Sequence, residues 1–139
     1  MSIASSMIQI GRCLLFTGGI ISGCVNNRMQ AVVPSPLPCA LPDTISFQRN
    51  ILPIFQTNCA LSGCHSGNFP TGNLNLEASK AYSQLLKKGS GYVDTLHPEN
   101  SVLYSSLVSI SDPMPPTGSL DPCKIEEITT WMRQKARNN

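Results

Sequence analysis

The chain has 139 residues, the size of one compact domain. Its formal net charge is only +2 and its ten Lys and Arg residues are scattered, which excludes the electrostatic footprint of a nucleic-acid-binding protein or of a receptor for acidic substrates. Six cysteines are many for this length and point to an oxidising compartment or a cofactor, so each needs its own account.

At the N-terminus, Arg12 precedes an uncharged, mostly apolar stretch from Cys13 to Ile21. It is far short of the roughly 20 residues that span a bilayer as a helix, and reads as the hydrophobic region of a secretory signal. It runs into Ile21-Ser22-Gly23-Cys24, which resembles the lipobox of bacterial lipoproteins, where small residues admit the processing peptidase and the cysteine thiol receives lipid. The resemblance implies a signal peptide over 1–23 and Cys24 as the lipidated first residue of the mature protein. Such a protein is anchored to a membrane and does not span it. The segment 24–44 carries Pro34, Pro36, Pro38 and Pro42 with few charges, the composition of an extended tether. At about 3 Å per residue it could hold a domain up to roughly 60 Å from the lipid.

The remaining segment, 45–139, carries helical apolar spacing and no alternating strand pattern, so an all-α domain is expected. Phe47, Ile51, Ile54 and Phe55 share one helical face, with Pro53 starting a new helical segment. Ala78, Tyr82, Leu85 and Leu86 repeat the spacing and stop at Gly89-Ser90-Gly91. Leu103, Leu107 and Ile110 mark a third helix, introduced by Pro98-Glu99 and closed by Asp112-Pro113. The last starts at Asp121 as N-cap with Pro122 in the first turn, and sets Ile125, Ile128 and Met132 on one face beside Trp131. Glu126 and Glu127 lie early in it and Arg133, Lys135 and Arg137 late, as the helix dipole favours.

The chemistry-bearing stretch is Cys59-Ala60-Leu61-Ser62-Gly63-Cys64-His65. Two cysteines followed at once by a histidine are the means by which a short segment bonds a haem edge through two thioethers and ligates its iron. The usual C-x-x-C-H has two intervening residues where this chain has four. Cysteines five apart point about 140° apart on a regular helix, so the segment must bulge, and Gly63 allows it. A small disulfide loop or part of a zinc site are the other readings, the zinc site lacking a convincing fourth ligand. Downstream, Asp112-Pro113-Met114-Pro115-Pro116 holds Met114 in a stiff, non-helical loop that can present a thioether to iron, or merely pack. His97, beside Pro98, reads as a surface residue introducing a helix.

From Ile45 to about Ala136 the chain resembles the small c-type cytochrome domains of bacterial secreted proteins and lipoproteins. The matching stretches are Ile51-Leu52-Pro53-Ile54-Phe55, Gly63-Cys64-His65, Gly72-Asn73-Leu74-Asn75-Leu76, His97 to Tyr104, Met114-Pro115-Pro116 and the helix Ile125 to Trp131. The resemblance implies a cytochrome c fold of three to five helices around one covalent haem c, attached at Cys59 and Cys64, with His65 as proximal and Met114 as distal iron ligand. With these cysteines assigned, Cys39 and Cys123 remain and can pair as a disulfide. Iron ligated on both faces has no vacant position for substrate, so the expectation is an electron carrier and not an enzyme. It would serve redox proteins at a bacterial inner or outer membrane, facing periplasm or exterior. The alternatives are a peroxidase or gas sensor with a labile distal ligand, and a haem-free structural lipoprotein.

Overall fold

The computed structural model describes residues 39–139; the expected signal peptide over 1–23, with Cys13, the expected lipidation site Cys24 and the expected tether up to residue 38 lie outside the described residues. The described residues are all-α, with four α-helices and no strand. None of these helices is long and apolar enough to cross a membrane.

Ser46 opens the first helical segment, its side chain accepting from the Arg49 N–H. Phe47–Ile51 is wound as a π-turn and continues directly into α1, Leu52–Asn58, with Pro53 in its first turn. The N–H groups of Ile51 and Leu52 reach five residues back, to the carbonyls of Ser46 and Phe47. Proline has no N–H to give and its ring crowds the carbonyl four residues before it; the wider turn relieves that crowding without breaking the helix. Phe47, Ile51, Ile54 and Phe55 are all buried.

Helix α2 is short, Ala81–Leu85. Ala78 is exposed in the turn before it, and the buried positions are Ala81 and Leu85, so the sequence reading started this helix a turn too early. Helix α3, Val102–Val108, follows a 3-10 turn over Pro98–Asn100 and is capped by Ser101, whose side chain accepts from the Tyr104 N–H. It ends two residues before Ile110, which is 99 % exposed and outside the helix, contrary to the spacing argument. Helix α4, Pro122–Arg133, starts as its sequence signals require, with Asp121 accepting from the Cys123 N–H at 2.8 Å.

The core gathers around Trp131, which packs on Phe47 at 5.3 Å between ring centroids, Phe47 in turn meeting Tyr82 edge-on at 5.1 Å. After α4 the backbone turns through positive φ at Lys135 and Ala136. There the carbonyls of Ala136 and Arg137 accept from the Tyr82 hydroxyl and the Trp131 indole N–H. Cys39 is joined to Cys123 by a disulfide spanning 84 residues, which ties the start of the described chain to the first turn of α4. Trp131→Ala removes the largest fully buried side chain and orphans the Arg137 carbonyl, so it is expected to cost about 3–5 kcal/mol, read from urea denaturation. A loss below about 1 kcal/mol would show that the core does not depend on this ring.

Candidate functional site

Helix α1 delivers the chain to Cys59, where the backbone leaves helical geometry. The loop from Cys59 to His65 closes on itself: the His65 N–H donates to the Cys59 carbonyl and the Cys64 N–H to that of Leu61. Gly63 takes a φ of +79°, a conformation costly for any residue with a side chain, and so makes the bulge that the wide cysteine spacing demands. The next stretch is pinned back over this loop. Thr71 and Leu76 donate their N–H groups to the Cys64 and His65 carbonyls, and the Gly67 N–H donates to the Glu77 carboxylate at 3.0 Å. The Gly67 N–H and then Lys80 hold that carboxyl below its ordinary pKa.

These bonds orient the imidazole. His65 Nδ1 lies 3.1 Å from the Leu74 carbonyl oxygen, which can only accept, so Nδ1 carries a proton and in the neutral ring the lone pair sits on Nε2. A histidine held in this way is prepared to bind a metal through Nε2.

Cys59, Cys64, His65 and Met114 all line one open, predominantly apolar cleft of about 300 Å³. Its other walls include Leu74, Leu85, Tyr92, Leu103 and Leu107, and none of its lining residues bears a formal charge. Met114 arrives from a different part of the chain, its N–H donating to the Ser106 carbonyl near the end of α3. His97 does not line the cleft; it is exposed at the start of its 3-10 turn, with Nδ1 3.5 Å from Glu99. Among the described residues no three His, Cys, Asp or Glu side chains converge as a metal site.

Both cleft cysteines are free thiols, unlike Cys39 and Cys123. Burial, and secondarily the neighbouring Cys64, push the Cys59 thiol up to about 11 from 9.0. Because the folded state holds this proton more tightly than the unfolded chain, the haem-free protein has the associated stability in full below pH 9. It loses that stability as pH rises from there through about 11. In the same protein at pH 8.5, iodoacetamide should alkylate Cys59 on the order of fifty- to a hundredfold more slowly than in urea, as followed by peptide mass mapping. Equal rates would mean that the thiol is not buried.

The sequence reading did not include two backbone carbonyls, that of Leu74, which faces the His65 imidazole, and that of Ser106, which accepts from the Met114 N–H. A carbonyl has no residue signature, and only the flanking Gly72-Asn73-Leu74-Asn75-Leu76 pattern hinted that this stretch mattered. Comparison of the chain with family models, with curated proteins and with solved structures gave no match.

Proposed function

We propose that this domain is a c-type cytochrome and that the protein is a one-electron carrier of the bacterial cell envelope. In this reading it is held by lipid on Cys24 to the inner or outer membrane and exchanges electrons with redox proteins there. The observation that carries the reading is the meeting, in one charge-free apolar cleft, of two free thiols, an imidazole with Nε2 available and a thioether. This donor set fits haem c: Cys59 and Cys64 would form the thioethers, His65 would be the proximal and Met114 the distal ligand. When bound, the haem supplies an iron couple that changes by one electron.

The chain's own residues do the rest. The Leu74 carbonyl fixes the imidazole tautomer, and the Ser106 carbonyl holds the backbone of Met114. The apolar walls would disfavour extra positive charge on a bound haem, and together with sulfur ligation this would raise the reduction potential. The open side of the cleft would offer a route for electrons.

A second reading, a haem-based peroxidase or gas sensor, draws on one observation. Met114 is only half-buried, on a loop tied to α3 through a single backbone bond of its own amide. Ready binding of carbon monoxide to the reduced protein would favour it. The haem-free lipoprotein reading requires Cys59 bonded to Cys64, and the free state of both thiols gives it no support.

The test is the exported protein itself, made with haem-attachment machinery, on a denaturing gel stained for haem and in oxidised and reduced optical spectra. A stained band with a reducible visible spectrum is the expected result. A colourless chain whose Cys59 and Cys64 are joined to each other would overturn the proposal.

A further inference from the structure

Asn75 is one of four buried polar residues among the described residues, 5 % exposed between Leu74 and Leu76. Both ends of its side-chain amide are engaged. Oδ1 accepts from the Glu77 N–H two residues on, at 2.9 Å, the local turn that asparagine commonly makes with its own backbone. Nδ2 donates to the Gly67 carbonyl, also at 2.9 Å, across eight residues of chain.

His65 and the Leu74 carbonyl that faces its Nδ1 stand at the two ends of one excursion. Residues 66–73 between them are mostly exposed, so the intervening chain does not by itself hold the imidazole against that carbonyl. Bonds between the flanking segments, 65–67 and 74–77, have to do so. The Leu76 N–H donates to the His65 carbonyl, and Gln56 on α1 donates to the Leu76 carbonyl, which fixes one point. The Gly67 N–H also reaches the Glu77 carboxylate, but that bond lies exposed to water, where competition weakens it. The sheltered second tie is the one from Asn75 to Gly67. One bond is a pivot, whereas two set an orientation.

We propose that Asn75 is a positioning residue for the His65 imidazole. By tying the Gly67 carbonyl to the stretch that presents the Leu74 carbonyl, its amide keeps Nδ1 against that oxygen and leaves the Nε2 lone pair for a ligand. The task needs a donor and an acceptor on one short side chain. Aspartate has no donor for Gly67, and serine reaches the Glu77 N–H but not Gly67. In the haem reading, on which this one consequence rests, a looser imidazole is a weaker donor to ferric iron, so the reduction potential rises when Asn75 is lost.

The reporter is the Nδ1–H of His65, followed by nitrogen-15 NMR of the full exported chain. In haem-free protein with the ring neutral it reads as the ratio of the two tautomers, expected to favour Nδ1–H by about tenfold or more. In haem-bearing, reduced protein it reads as the rate at which that proton exchanges with deuterium. Asn75→Ser keeps an oxygen for the Glu77 N–H and loses the reach to Gly67; Asn75→Asp keeps the oxygen and loses the donor. Each is expected to lower the tautomer ratio at least about fivefold, or to speed the exchange at least about tenfold. Tyr82→Phe removes one bond of the same kind, to the Ala136 carbonyl, from a residue that does not line the cleft, and should change either reading by less than about twofold. A smaller change in both Asn75 variants, or as large a one in Tyr82→Phe, would overturn the proposal. Failure of both Asn75 variants to fold would overturn it too, since the residue would then hold the domain and not the ring. Haem staining of the same samples decides only which reading applies: a colourless chain with the expected tautomer shift keeps the role of Asn75 and removes the cytochrome reading.

Discussion

Replacing both Cys59 and Cys64 with alanine is expected to leave the exported chain without any covalent pigment: no haem-stained band on a denaturing gel, and a mass equal to that of the polypeptide with its lipid. Both thiols line the cleft and neither is engaged elsewhere, so on the proposed reading they would form the thioether bonds. The single variants separate the two bonds. With Cys59 or Cys64 alone replaced, one vinyl group stays unreacted, and the alkaline pyridine spectrum of the denatured protein should shift to the red. The double variant should also unfold at far lower denaturant concentration. If haem fills the cleft of about 300 Å³, its loss would expose the apolar walls formed by Leu74, Leu85 and Leu107, which belong to the core itself. Pigment retained after both changes would show that haem is held by something other than these sulfurs.

On the proposed reading, Met114→Ala is expected to lower the reduction potential by roughly 0.1–0.3 V, because a thioether ligand would favour the ferrous state. The same protein should lose the weak long-wavelength band of sulfur-ligated ferric iron and should bind carbon monoxide readily when reduced. Redox titration and optical spectra check all three. An unchanged potential with an unchanged band would mean that Met114 only packs in its loop. Its place near the end of α3, fixed by the bond from its N–H to Ser106, leaves the fold little affected by the change, so the readout concerns the iron and not stability.

How far the residues disclosed the structure differs from element to element. Helix α4 was legible because independent signals agree on it: Asp121 and Pro122 fix the start, and Ile128 and Met132 lie four apart on the buried face. The end of α3 was not, because Ile110 satisfies the helical period as well as Leu107 does. The chain leaves the helix at Ser109, whose backbone is extended and whose hydroxyl accepts from the Asp112 N–H, and the return of Met114 to Ser106 fixes the loop that follows. Periodicity counts side chains and does not see a backbone bond made eight residues later. The π-turn before Pro53 escaped for a related reason, since one wider turn leaves Phe47, Ile51, Ile54 and Phe55 on the same buried side. Cys59, Cys64, His65 and Met114 were named from their chemistry and from the family resemblance. What that chemistry could not supply was the Leu74 carbonyl that sets the imidazole, or the absence of charge from the stretches around it.

The Cys39–Cys123 link has a mechanical consequence. Tension arriving from the N-terminal side of Cys39 passes through the sulfur bridge into the first turn of α4, and residues 40–44 are left slack beside that path. The force is then borne by the helix that carries Trp131, the largest fully buried side chain of the described residues, and does not peel Ile45 and Phe47 away from the core one residue at a time. Under reducing conditions the same pull would act on that peeling edge.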